Sequence, residues 1–190
     1  MNRLLTAPLL LLLSLAFPAQ QKFTSIRQID FRNFSFLWQK EFVPSMWSWM
    51  PAQLPSRVEL VNGRRNFPNR AYLGILATYY GRLSDQEVAA VDVIYASGGT
   101  ANWHYLYIYR LKDGEPERMG WLRSGSRADG GLLKVDFQNG LLVLDFQDPS
   151  KRDGDCCSDG YIRVTYRWQD GHFVEVLPRR YGLLPARTAF

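Results

Sequence analysis

The stretch Leu132-Leu133-Lys134-Val135-Asp136-Phe137-Gln138-Asn139-Gly140-Leu141-Leu142-Val143-Leu144-Asp145-Phe146-Gln147 decides the fold. Its centre, Asn139-Gly140, is the dipeptide that a two-residue hairpin turn favours, because both turn positions require positive φ. With the turn placed there, Phe137 faces Leu142, Val135 faces Leu144 and Leu133 faces Phe146. The opposite face then sets Lys134 against Asp145, a pair of opposite charge. The same construction around Asp113-Gly114 pairs Lys112 with Glu115 and Arg110 with Glu117. Around Asp170-Gly171 it pairs Trp168 with Phe173, and Asn62-Gly63 marks a fourth turn of this kind. Three turns that independently bring sensible partners together predict a meander of antiparallel hairpins.

Trp103, Tyr105, Tyr107, Tyr109 and Leu111 alternate with His104, Leu106 and Ile108, so both faces of this run are largely apolar. A strand of that kind lies in the middle of a sheet covered on two sides. Helical spacing is nearly absent, apart from a single turn expected at Ser84–Ala90. The fold class expected is mainly β, an antiparallel hairpin meander forming a twisted sheet, a sandwich or a partial barrel, with little helix. Composition agrees: of 190 residues 46% are apolar, and six Trp, ten Tyr and eleven Phe favour strands.

Outward from this core, the N-terminus reads as a secretory signal peptide. Arg3 supplies a positive start, Leu4 to Phe17 is almost wholly apolar, and Ser14, Ala16 and Ala19 are small residues in the cleavage zone. Cleavage is expected after Ala16, with Ala19 and an uncleaved anchor as alternatives. The expected organisation is therefore a signal peptide at 1–16 (or 1–19), and an irregular segment at 17–56 with one strand at Gln28–Phe36. An antiparallel β domain at 57–178 and a basic flexible tail at 179–190 follow. Such a protein is exported, periplasmic or extracellular, and not an integral membrane protein after signal cleavage. An outer-membrane barrel is not expected, because Pro185 and Arg187 interrupt the last segment before Phe190. The net charge of +5 allows weak attraction to anionic polymers or membrane surfaces. The basic clusters Arg64-Arg65 and Arg179-Arg180 are too short for a nucleic-acid track.

Candidate chemistry is sparse. Cys156 and Cys157 are the only cysteines and are adjacent, in a chain expected in an oxidising compartment. The reading expected is a strained vicinal disulfide between Cys156 and Cys157 that locks the turn, with two intermolecular bridges and buried reduced thiols as alternatives. Around them Asp148, Asp153, Asp155 and Asp159 give oxygens at calcium-loop-like spacing, without the Glu that closes such a loop. No other metal or cofactor is expected. His104 reads as a packed or hydrogen-bonded core residue and His172 as exposed. Glycoside cleavage needs paired carboxylates, for which Glu59, Asp85, Glu87 and Asp92 are candidates. The glycine-rich segment from Gly125 to Leu132 lacks the Lys and helix of a phosphate cradle and reads as a bulged turn. Trp47 and Trp49, in the Pro-bounded segment Met46–Met50, form a candidate ligand surface for a glycan or a protein, or else a lid on the sheet.

Two resemblances follow from residues already quoted. Tyr80-Gly81-Arg82-Leu83-Ser84-Asp85, continuing to Val91, resembles the strand–loop–strand of FG-GAP/VCBS-type repeats. Arg82 stands where that family carries an Asp and Gln86 where it carries a Gly. Arg127-Ala128-Asp129-Gly130-Gly131-Leu132, Gly154-Asp155-Cys156-Cys157 and Arg163-x-x-Tyr166-Arg167-Trp168 together resemble a group of uncharacterised bacterial secreted proteins. That likeness covers about Leu73 to Val176, with Ser158 where the group has Pro. It implies the fold and the compartment and no reaction. The function expected is a secreted, envelope-associated, non-catalytic β domain with a structural or ligand-binding role. The alternatives are an envelope hydrolase acting on glycans and a calcium-dependent adhesin-like module.

Overall fold

The computed structural model describes residues 22–37, 57–67, 70–96, 102–125, 131–151 and 158–185. The strands are β1 (Ser35–Leu37), β2 (Arg57–Glu59), β3 (Arg64–Asn66), β4 (Tyr72–Leu83), β5 (Gln86–Ala96), β6 (Asn102–Lys112), β7 (Glu115–Gly125), β8 (Leu132–Gln138), β9 (Leu141–Gln147), β10 (Gly160–Gln169) and β11 (His172–Leu183). They form a pair β1-β2, a five-stranded sheet in the order β3-β4-β5-β6-β7, and a four-stranded sheet in the order β11-β10-β9-β8. Every pairing is antiparallel, and the protein is mainly β.

The turns follow from their dipeptides. Asn62, Asp113, Asn139 and Asp170 each adopt φ between 51° and 56°, and each following glycine lies at φ 75–83°. That double positive φ matches the right-handed strand twist, and Asn, Asp and Gly adopt it at least cost. The register Phe137↔Leu142, Val135↔Leu144 and Lys134↔Asp145 is found, as are Lys112↔Glu115, Arg110↔Glu117 and Trp168↔Phe173.

The five-stranded sheet is covered on both sides at its centre, over β5 and β6. Along β6, Tyr105, Leu106, Tyr107, Ile108 and Tyr109 are all buried, as the double-faced apolar run predicts. One face carries Ala89, Val91, Val93, Tyr105, Tyr107 and Tyr109. It packs beneath Ile26, Ile29, Phe31, Phe36, Val58 and Leu60 from the N-terminal segment and the β1-β2 pair. Its other face carries Val88, Ala90, Leu106 and Ile108, packed on Val135, Leu142 and Leu144 of the four-stranded sheet. The result is two hydrophobic layers with β5 and β6 between them.

Four expectations are corrected. Ser84–Ala90 is not helical: Ser84 takes φ 51°, Leu83 pairs with Gln86, and β5 begins at once. A strand buried on both faces is apolar at nearly every position, so its pattern carries no helix-or-strand signature. Gln28–Phe36 is not one strand but two short 3-10 turns, Ile26–Gln28 and Phe31–Asn33, followed by β1. Ser25 caps the first, with a reciprocal bond from Gln28, and the Asp30 side chain caps the second, so the caps override the alternation. Leu133 does not face Phe146, because a bulge puts Leu132 there. Arg179–Leu183 is not a tail: it continues β11, with Arg163↔Arg180, Ile162↔Tyr181 and Tyr161↔Gly182 in register. No helix among the described residues is long and apolar enough to cross a membrane.

The two sheets also meet edge to edge. β3 covers only the first residues of β4, through Gly74, so the rest of β4 is a free margin. β8 is the margin of the other sheet, and the two come together where Ser84 N–H donates to Gly140 O at 2.9 Å. There the Phe137 ring lies directly on Gly81; a Cβ on that glycine would sit 2.2 Å from the ring. One of the sheets is curled into a half-barrel.

Candidate functional site

The β4–β8 seam forms an open cleft among polar and aromatic groups. This cleft of about 560 Å³ is lined by Tyr79, Tyr80, Arg82, Asp136, Phe137 and Asn139, with Gly81 in its floor. Two hairpins place these residues. The β4–β5 turn ends beside Arg82, whose guanidinium donates to Asp85 O, and the β8–β9 turn presents Asn139. Burial pushes the Tyr79 and Tyr80 hydroxyls up, with Asp92 adding to the effect on Tyr79. Both are neutral donors at neutral pH. Arg27 lies over the Tyr80 ring, 4.8 Å from its centre. Asp136 accepts from Phe137 N–H at 2.8 Å and from Gln138 Nε2 at 2.9 Å, with Lys134 Nζ at 3.3 Å. These contacts, the Gln138 bond first, hold its carboxyl below the usual range and fix one wall of the cleft.

The carboxylates considered for glycoside cleavage do not converge. Glu87 accepts from Ser25 Oγ at 2.7 Å and Arg27 Nε at 2.9 Å, which keep it ionised and tie the N-terminal segment to β5. Asp92, an even-numbered residue of the same regular strand, lies on the opposite face of the sheet. Asp85 is in the turn and Glu59 is exposed at the end of β2. Asp92 is buried and makes the one carboxylate–imidazole contact of the described residues, to His104 Nδ1 at 3.2 Å across the β5–β6 ladder. The hydrogen bond expected of His104 is present, but its ring is only partly buried, 19% exposed, at the end of the sheet's core. His172 is exposed beside its turn.

The Lys134–Asp145 charge pair is also revised. The two residues are opposite each other, but Asp145 is held by Arg163 of β10, with bonds of 2.7 and 2.8 Å in the two-pronged geometry arginine favours. Lys134 turns instead to Asp136 on its own strand.

Cys156, Cys157, Asp153 and Asp155 lie outside the described residues, and so do Trp47, Trp49 and residues 127–130, where the sequence predicts a bulged turn. The neck formed by the residues on either side of 152–157 is described. Asp148 Oδ1 accepts from Ser150 N–H at 2.9 Å and Ser150 Oγ–H at 2.7 Å, which lowers its proton affinity. Buried Ser158 donates to Asp148 O at 2.6 Å and accepts from Gly160 N–H at 3.1 Å. Asp148 N–H donates to Gly160 O at 3.0 Å. Asp148 thus caps a turn at the neck. Asp159 closes the same neck through its N–H to Lys151 O at 3.1 Å. Among the described residues no three His, Cys, Asp or Glu side chains gather as a metal site.

The cleft residues were not legible in advance, because they come from hairpins some fifty positions apart. The one local signal is Gly81, a glycine inside an otherwise strand-forming run, which marks close approach by another group. Comparison with known proteins found no matching family model, no matching curated protein and no matching solved structure.

Proposed function

We propose that this protein is an exported, envelope-associated, non-catalytic β domain that binds a glycan in the cleft between β4 and β8. The observation that carries the reading is the make-up of that cleft. Tyr79 and Tyr80, from opposite faces of the β4 edge, line an open trough with a guanidinium and a side-chain amide, where phenol hydroxyls and planar polar groups offer hydrogen bonds to sugar hydroxyls. Export follows from the apolar leader and small-residue cleavage zone, and the same compartment favours oxidation of Cys156 to Cys157. The resemblance to bacterial secreted proteins sharing the Cys-Cys pair supports this placement.

Titration with a panel of soluble gluco-oligosaccharides and N-acetylglucosamine oligomers tests the reading. Binding without product release is expected, with Arg82→Ala weakening it about ten-fold while the thermal midpoint holds. Absence of binding across the panel overturns the glycan assignment. Release of shortened oligosaccharides instead supports the hydrolase alternative, for which the Asp92–His104 pair is the specific observation. A midpoint that falls in EDTA would support the calcium-dependent module.

A further inference from the structure

The three most exposed large apolar side chains among the described residues all lie on β11, at the margin of the four-stranded sheet. Leu177 is 75% exposed, Leu183 71% and Tyr181 66%. Beside them, the outer face of the same sheet carries a groove of about 260 Å³ floored by Leu141, Val143 and Val176, with Arg163 and Arg180 on it. These two arginines are opposite each other in the β10–β11 ladder. Asp145 matches the charge of Arg163 with its two bonds. Arg180 is exposed, and no ion pair of its own occurs among the described residues. The trough, Leu177 and an unmatched guanidinium therefore lie on the outer face of this margin, while Tyr181 and Leu183, in register with Ile162 and Gly160, project from the other face of the same edge strand.

We propose that this margin is a docking surface for an anionic phospholipid membrane. The edge strand enters the headgroup layer edge-on, Leu177 from its outer face and Tyr181 and Leu183 from its inner face, and Arg180 takes a lipid phosphate at the mouth of the groove. Aliphatic and tyrosine side chains interleaved with arginine are the mixture that an interfacial layer accommodates, with the rings at headgroup level and the cation on phosphate. The chain's net charge of +5 adds long-range attraction to a negative surface.

A second copy of the chain fits this margin less well. Edge-to-edge pairing needs an unbroken row of N–H and C=O groups, and Pro178 has no N–H to give. The ladder to β10 is also interrupted between Val176 and Arg180. A membrane requires side chains and no ladder. The groove reaches the glycan cleft at Asn139, which lines both, but Leu177, Arg180, Tyr181 and Leu183 do not line the cleft, so the variants below leave it intact.

Co-sedimentation of the full chain with phosphatidylglycerol–phosphatidylcholine vesicles, against phosphatidylcholine alone, tests this. The expected result is preferential binding to the anionic vesicles, reduced about ten-fold by Arg180→Glu and again by Leu177→Asp with Leu183→Asp. These side chains project into solvent, so thermal midpoints and near-ultraviolet spectra should match the parent. Equal sedimentation of parent and variants would assign the association to another part of the chain, the apolar Leu4–Phe17 included, and overturn the proposal. So would a lack of anionic preference. Sedimentation velocity of the same proteins gives the remaining contrary outcome: a dimer that the β11 substitutions dissolve, with vesicle binding unchanged.

Discussion

Gly81 shows how one residue can set the relation between two sheets. The Phe137 ring rests on its backbone, and a Cβ there would lie 2.2 Å from Phe137 Cγ and 2.5 Å from Phe137 Cβ. No rotamer of a neighbouring chain relieves an overlap with the root of a side chain, so the strand or the ring must move. Gly81→Ala is therefore expected to cost about 1–3 kcal/mol, the usual range for overpacking. Pairing it with Phe137→Leu should recover part of the loss, a non-additivity readable from the thermal midpoints of the four proteins. Equal, additive losses would mean that the contact does not govern the seam. The residue scale also explains why charge pairing in sequence misleads. Lys134 and Asp145 are opposite each other, yet Arg163 on the third strand offers Asp145 a planar two-point contact that an ammonium cannot match.

At the scale of elements, the hairpins are where local chemistry and tertiary demand coincide. The two glycines Gly140 and Gly171 have nearly the same backbone, φ 75° and 80°, but different surroundings. A Cβ on Gly171 meets nothing within 4 Å, whereas on Gly140 it would lie 3.1 Å from Ser84 N and 3.2 Å from Ser84 Cα. Gly171→Ala should cost only the left-handed backbone penalty, about 1 kcal/mol. Gly140→Ala should cost clearly more, because it also presses on the Ser84–Gly140 link that joins β4 to β8. Chemical denaturation of the two variants checks the order; equal losses would show that the seam is not held there. All four Xaa-Gly turns were legible in the sequence, because positive φ at two successive positions is a demand few dipeptides meet. The Ser84–Asp85 turn lacks such a dipeptide and was hidden for that reason. The caps at Ser25 and Asp30 were equally hidden behind the apolar spacing of the segment they start.

For the whole molecule, ionisation sets a stability window at both ends. Glu87, Glu117, Asp136, Asp148 and Glu175 all have their proton affinity lowered, chiefly by hydrogen bonds from Ser25, Arg110, Gln138, Ser150 and Arg179 respectively. The unfolded chain therefore takes up protons first as pH falls, and the stability these groups contribute is present above about pH 5 and lost below it. Burial acts on the tyrosines in the other direction. It pushes Tyr105 up to about 12, and it pushes Tyr107 and Tyr109 still higher. Above about pH 10 the unfolded chain releases those protons first, so stability falls as pH rises. Thermal midpoints across the pH range should show a plateau between these limbs. Tyrosine absorbance at alkaline pH should rise late for the buried rings, together with unfolding. A midpoint that still climbs from pH 9 to pH 11 would contradict the burial of the β6 tyrosines.

What the sequence determined by itself is what depends on neighbours along the chain: the hairpin turns, their registers, the double-faced burial of β6 and the β class of the fold. Each follows from period-two alternation and from dipeptides with restricted φ, which act within a few residues. Tertiary structure alone decided which margins meet, and hence where the cleft lies. It also decided that Arg163 rather than Lys134 answers Asp145, and that Arg179–Leu183 joins the sheet instead of trailing from it. Those outcomes depend on groups brought together across dozens of positions by the burial of two apolar layers, and no local pattern encodes them.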